Sequence, residues 1–441
     1  MRGKVRFFAL LLLGLFSACA QLPDVDGDIA SAQALRLDNT LQPVDAFHTE
    51  GERIAGKPFI PGNRVDLLAD GAQSYPAMLA AIGAAHRRID MEIYMFDEKE
   101  GEKFAAALIR KRKAGVAIHL ICDAWGSNDT PEALFDEMED AGIDIVYFNP
   151  LDPLNVIDTG ANHRDHRKLL IVDGRVAFTG GVNITEVYRL KLRFKRAIGR
   201  TGGDDDGHTD IGKLPWRDSL VRIEGPAAAQ FENLFLDDWA SQKGPPLSIP
   251  PAPPPPLASG VPVQALEVAP DIDRFSIYRS LISAITLARH SVHLSTGYFA
   301  PTPDMIDALQ DAAERGVDVQ LILPSQSDST LALEAGHADY EDLLESGVKI
   351  YERQGVVLHA KTTVIDGLWS TVGSYNLDWR SILFNNECNA VILSPSFGAE
   401  MERAFTNDRL QSSAIDAATW NDRPFIQRLR EWRARLLISY L

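Results

Sequence analysis

The block His166-Arg167-Lys168-Leu169-Leu170-Ile171-Val172-Asp173 returns as His359-Ala360-Lys361-Thr362-Thr363-Val364-Ile365-Asp366, so this chain carries His-x-Lys-(x)4-Asp twice. Each copy is followed, six residues on, by a small-residue turn and an asparagine: Gly180-Gly181-Val182-Asn183 and Gly373-Ser374-Tyr375-Asn376. With residue frequencies of about 0.02, 0.04 and 0.07, chance supplies one copy in roughly 2% of chains this long, and the duplicated, extended form far less often. Two such copies imply one composite site built from two similar halves.

The residue types suit substitution at phosphorus. A neutral imidazole can attack phosphorus to give a phosphohistidine, while a second, protonated imidazole hands its proton to the departing alkoxide. Lys168 and Lys361, with Asn183, Ser374 and Asn376, supply donors for the non-bridging oxygens of an in-line displacement. No metal or other cofactor is then required. Reading His163, Asp165 and His166 as metal ligands lacks a second carboxylate cluster, and the repeated lysine argues for phosphate.

Leu169–Val172 and Thr362–Ile365 are aliphatic and β-branched, and Asp173-Gly174 and Asp366-Gly367 are turn formers, so each motif reads as a buried strand running into a tight turn. In a strand, residues two apart share a face, which sets His166 beside Lys168 and His359 beside Lys361. Asp173 and Asp366 belong to the catalytic motif, with organisation of the turn as their expected part in it.

With these motifs in view, the chain resembles the phospholipase D superfamily and, within it, the bacterial cardiolipin synthases. The resemblance runs over roughly residues 65–441 through Asn162-His163-Arg164 to Asn183, Trp216-Arg217-Asp218, and Gly373-Ser374-Tyr375-Asn376-Leu377-Asp378 to Asn386-Glu387. It implies two tandem α-β-α sandwich domains related by a pseudo-twofold axis, with the active site at their interface. It also implies His166 as nucleophile and His359 as general acid, which the residues alone do not rank. An acidic residue downstream of each motif is expected to orient its own histidine. Glu387, 28 residues after His359, fits that place in the second half, and Asp218 is the candidate in the first.

The resemblance implies phosphatidyl transfer, with phosphatidylglycerol or a related lipid as acceptor and cardiolipin as product. Water as acceptor would make the same machine a hydrolytic phospholipase D. The synthases most like this chain carry two membrane-spanning helices ahead of the catalytic region, whereas this chain is expected to carry one cleavable signal.

The duplication sets the size. Ala114-Gly115-Val116-Ala117-Ile118 parallels Arg315-Gly316-Val317-Asp318-Val319, and Ala141-Gly142-Ile143-Asp144-Ile145 parallels Ser346-Gly347-Val348-Lys349-Ile350, each as helix, glycine, strand. A chain of 441 residues with 45% hydrophobic content is long enough for two cores. Eight prolines in residues 245–256 read as an extended surface spacer. The expected organisation is a signal at 1–20, an extension at 21–60, a first domain at 61–242, a linker at 243–262, and a second domain at 263–441 ending in an amphipathic helix.

Arg2, Lys4 and Arg6 ahead of the apolar run Phe7–Phe16, with small residues at 17–20, form a secretory signal too short to span a membrane. Ala18-Cys19-Ala20 fits a peptidase site and Ser17-Ala18-Cys19 a lipoprotein box; lipidation at Cys19 is favoured, which implies export to the periplasm or outer membrane. Cys122 and Cys388 read as buried thiols rather than a disulfide. The net charge of −17, which would reach −20 without Arg2, Lys4 and Arg6, disfavours nucleic acid as partner and weakens a nuclease reading. A phospholipid substrate and a membrane surface are the partners implied, and no protein partner is inferred.

Two segments mix cations with apolar residues: Arg189 to Arg200, and the run holding Phe425, Ile426, Leu429, Trp432, Leu436 and Tyr440 among four arginines. The first is either a lipid contact or a solvated loop; the second is either a helix docked on the protein or one lying on a bilayer. Glu92, Tyr94 and Tyr298 are candidates to line the pocket. Trp239 and Trp379 read as core anchors, and His86 and His290 as structural.

Overall fold

The computed structural model describes residues 22–150, 162–189, 214–247 and 252–438. Cys19, residues 190–200 of the cationic segment, and Tyr440 lie outside the described residues.

Each half is a mixed sheet with the same strand order. In the first, Ile60–Ala69, Ser219–Glu224, Val176–Gly180, Leu169–Val172 and Arg88–Ile93 pair antiparallel in turn, and Ala117–Asp123 and Asp144–Phe148 then continue in parallel. In the second, Val261–Ala269, Asn385–Leu393, Trp369–Gly373, Thr362–Ile365 and Ser291–Ser295 are antiparallel, with Asp318–Pro324 and Lys349–Arg353 added in parallel. Ile60–Ala69 also pairs with Val261–Ala269, joining the sheets at their edges.

Strand alternation divides the apolar residues between two packing faces. Leu170 and Val172 pack outward under helices of the first half, while Leu169 and Ile171 join a core between the sheets that takes Val364, Val372 and Ala390 from the second. Phe231 and Phe235 from helix Ala228–Ser241 and Phe397 and Met401 from helix Pro395–Arg409 fill the rest of that shared core. The architecture is therefore a pair of α-β-α units meeting face to face.

The sequence echoes fall where helices stop. Gly115 and Gly316 follow helices Glu98–Lys113 and Pro303–Glu314 with φ of 89° each, a left-handed turn that favours glycine and returns the chain to its strand. The extension at 21–60 is not an appendage. Its helices Asp26–Leu37 and Pro43–Ala55 pack Ala32 and Phe47 against Ile277 and Leu281 of helix Ser276–Leu287. Buried Asp28 accepts two hydrogen bonds from Arg279, at 2.6 and 2.9 Å, which locks the extension onto the second half.

Candidate active site

Short strands deliver each motif to the seam between the halves. Arg164–Asp165 runs parallel to Asn385 and Asn386, and the His166 N–H donates to the Asn386 carbonyl at 2.9 Å. Val357–Leu358 runs parallel to Trp216–Arg217, and the His359 N–H donates to the Arg217 carbonyl at 2.8 Å. Each histidine is therefore hydrogen-bonded through its backbone to the residue just ahead of the other half's carboxylate.

The side chains follow the backbone across the seam. His166 Nδ1 lies 2.9 and 3.0 Å from the two oxygens of Glu387, and His359 Nδ1 lies 2.7 Å from Asp218 Oδ2. The expectation that each carboxylate serves the histidine of its own half is corrected: the pairing is crossed. Separation along the chain suggested the local pairing, but these inter-half strand contacts decide it. With both Nδ1 atoms engaged, the Nε2 atoms are left for chemistry.

Both rings open on one cavity of about 470 Å³, lined from the first half by Tyr94, Asn183 and Trp216 and from the second by Tyr298, Asn376 and Trp379. The volume suits a phosphodiester with its flanking groups. Lys168 and Lys361 are buried beside the histidines, and each Nζ donates to the carbonyl of its own motif histidine, at 2.5 Å for Lys168. Lys168 also stands 5.1 Å from the centre of the Tyr94 ring.

Burial, the two lysines and the opposite histidine hold His166 well below the ordinary imidazole value. His359 is also lowered by burial and Lys361, with Asp218 pulling the other way. Burial brings Lys168 down to about 7 and Lys361 to about 8, and pushes Glu387 up to about 7. Burial pushes Asp218 upward, but the charge and hydrogen bond of His359, the charge of Lys361 and the Ser219 N–H together outweigh it, and this carboxyl ends below its usual range.

Several sequence assignments change or sharpen. Ser374 was expected to bind phosphate, yet its hydroxyl donates to Glu387 at 2.5 Å and accepts from the Cys388 N–H at 3.0 Å, so it supports the carboxylate behind His166. Asp173 and Asp366 stand apart from the cavity lining. Each has a left-handed φ, 54° and 52°, and accepts three backbone N–H groups where the next strand begins: His86, Arg87 and Arg88 for Asp173, and Arg289, His290 and Ser291 for Asp366. They are turn clamps, the part in the motif expected of them, and this places them outside the groups that line the cavity. Glu92 faces away from the cavity into a buried group with Asp165, Asp238 and the Arg167 guanidinium, whereas Tyr94 and Tyr298 do line it.

Of the remaining phosphate candidates, Asn183 and Asn376 both reach the cavity. Asn183 Oδ1 accepts from the Met95 N–H at 3.2 Å, and Asn376 Oδ1 is buried without a hydrogen-bond partner among the described residues. Trp239 is a core residue, but Trp379 lines the cavity. Cys122 and Cys388 are buried and unpaired among the described residues.

Sequence reasoning missed Tyr188. Its hydroxyl donates to Asp218 at 3.0 Å and stands 3.2 Å from His359 Nδ1. Counting from the repeated asparagines locates it, since Tyr188 follows Asn183 by the same five positions that separate Ser381 from Asn376. Ser381 in turn donates to Glu387 at 2.9 Å.

A family profile described as "Cardiolipin synthase, PLD-like domain" matches residues 78–188 and 281–409, one segment in each half. The chain belongs to the phospholipase D superfamily. Among its relatives, a cardiolipin synthase of Geobacillus kaustophilus is 31% identical over 396 residues, covering 88% of this chain and 74% of that protein. Cardiolipin synthase A of Yersinia pseudotuberculosis is 30% identical over 391 residues, covering 86% of this chain and 76% of its own length. A crystal structure of phosphatidylserine synthase from Haemophilus influenzae superposes with a TM-score of 0.64 at 15% identity, over 89% of this chain and all of the other, a likeness of fold. The two matched segments of this phospholipase D-type chain contain His166 and His359 respectively, so the superfamily's duplicated unit is present in both halves.

Proposed function

We propose that this enzyme transfers phosphatidyl groups through a covalent phosphohistidine and makes a cardiolipin-like product. Membership of the superfamily and the named synthases among its relatives support the coarser reading, a phospholipid phosphatidyltransferase. The observation that carries the mechanism is the pair of crossed histidine–carboxylate couples on one cavity.

In this scheme, neutral His166 Nε2 attacks phosphorus as the bond to the leaving alcohol oxygen breaks, and that oxygen takes the proton from His359 Nε2. His359 then removes the proton of an incoming hydroxyl, whose oxygen attacks phosphorus and breaks the P–N bond, restoring His166. Two displacements retain configuration at phosphorus. Lys168, Lys361, Asn183 and Asn376 steady the non-bridging oxygens.

The unequal carboxylates favour this order of roles. A firmly ionised Asp218 stabilises a protonated His359, while Glu387, drawn toward neutrality, does less to protonate His166. Acidic residues at the cavity, Asp129 and Asp328, oppose a polyanionic nucleic acid. The amino-terminal signal pattern supports export with a lipid on Cys19, which the intact mass of the mature protein would test.

Mass spectrometry of products formed from phosphatidylglycerol vesicles checks the reading. The expected product is cardiolipin with release of glycerol. Phosphatidic acid alone would make the enzyme a hydrolase, and cleavage confined to DNA would refute the lipid assignment.

A further inference from the structure

The helix Phe425–Ile438 is attached by its polar side. Its buried positions are Glu431 and Ala434, while Phe425 is 78% exposed and Ile426, Trp432, Leu436 and Leu437 are each more than half exposed. Glu431 accepts from Arg423 and Gln427 at 2.9 Å each, Ala434 packs with Ala300 and Ala335, and Arg428 and Arg435 reach Glu341 and Asp339 at 2.8 and 3.0 Å. These contacts fix the helix firmly, yet they turn its apolar stripe toward solvent, the reverse of an amphipathic helix that caps a core.

Two further features say what covers the stripe. Arg430 and Arg433 are exposed beside it and form no ion pair among the described residues, although the chain as a whole is acidic. Apolar and aromatic side chains flanked by free guanidinium groups match the acyl boundary and headgroups of an anionic bilayer. The helix also packs on Thr330–His337, whose residue Ala332, with the preceding Ser329, lines the cavity.

We propose that this helix lies on anionic phospholipid and holds the cavity mouth against the membrane surface. The proposal deepens the phosphatidyltransferase reading and rests on it for the substrate's location, while the exposed stripe stands independently. Lipid would then reach His166 and His359 from the bilayer beside the helix.

Full-length protein is mixed with phosphatidylglycerol vesicles brominated in the acyl chains, and tryptophan emission of the parent and of Trp432→Phe is compared. The parent is expected to lose a quenchable component that Trp432→Phe lacks. Arg430→Gln and Arg433→Gln should each weaken partitioning into anionic vesicles about fivefold, with little change on phosphatidylcholine. Equal quenching in parent and Trp432→Phe overturns the proposal, as does a concentration-dependent dimer in which Trp432 is buried. Turnover of a dispersed short-chain phosphatidylglycerol is measured in parallel and is expected to persist in all three variants. Its absence from the parent would strike the phosphatidyltransferase reading, whereas intact turnover without Trp432 quenching would strike only the membrane face.

Discussion

Asp218 and Glu387 hold corresponding places in the two halves and each faces the other half's histidine, but their surroundings differ. Glu387 accepts from the hydroxyls of Ser374 and Ser381 as well as from His166. In the first half the counterpart of Ser374 is Gly181, where a Cβ would lie 2.2 Å from Asp218 Oδ1, and the counterpart of Ser381 is Tyr188. A glycine lets Asp218 approach closely, and a phenol touches both members of its pair. The residue between histidine and lysine differs as well: Arg167 enters a buried acidic group through Asp238 and Glu267, at 2.7 and 3.2 Å, whereas Ala360 sits in an apolar cluster. Duplication built the frame twice, and these differences make the two histidine–carboxylate couples chemically unequal.

The largest effects that can break this comparison come from the crossed couples. Asp218→Asn and Glu387→Gln should each lower kcat by roughly 10²- to 10⁴-fold, by the loss of an orienting carboxylate. In double-mutant cycles, Glu387→Gln should couple strongly to His166→Ala and Asp218→Asn to His359→Ala, while the same-half combinations lie closer to additivity. Strong coupling within each half would restore the uncrossed arrangement.

A smaller effect sharpens the asymmetry. Gly181→Ser forces side-chain atoms against Asp218 and should cost about 100-fold in kcat, whereas Ser374→Gly only removes the hydroxyl that bonds Glu387 and the Cys388 N–H and should cost about tenfold. Equal losses would mean that the two carboxylates are held alike.

The pH profile provides a third test. If His359 is the proposed acid, the alkaline limb of kcat/KM in the free enzyme should follow loss of its proton, and burial and Lys361 hold that imidazole below its ordinary value. Lys361→Gln removes a cation that disfavours the protonated ring, so this limb should move to higher pH even as the maximal rate falls. A shift to lower pH would contradict the assignment.

The smallest catalytic effect is expected at the motif aspartates. Asp173→Ala deletes the acceptor for three backbone N–H groups, so it should lower stability by about 2 kcal/mol in denaturant unfolding and leave kcat within about twofold. A collapse of kcat in folded protein would return Asp173 to the catalytic set.

Much of this frame was written in local pattern. Leu169–Val172 and Thr362–Ile365 announced buried strands through alternation and branching, and the repeated helix–glycine–strand units gave the two halves. The histidines and lysines followed from their two-residue spacing. What local pattern lacks is contact between distant segments: nothing near Glu387 records that Asn386 pairs with Asp165, so its 28-residue distance from His359 suggested the wrong partner. Ser374 misled for a related reason, since a small hydroxyl near a phosphate motif suits a phosphate or a carboxylate equally well. The C-terminal apolar stripe was visible as a period, but the buried position of Glu431 is what turns it outward.

The most direct test of the central claim is to locate the covalent adduct. His166→Ala and His359→Ala are each mixed with a phosphatidyl substrate bearing a p-nitrophenolate leaving group, which needs no proton to depart, then quenched and mapped by peptide mass spectrometry. The predicted result is a phosphatidyl group on His166 in His359→Ala, released slowly for want of a base, and no adduct in His166→Ala. A phosphatidyl group on His359 in His166→Ala, with none on His166 in the other variant, would contradict the division of labour drawn from the two halves.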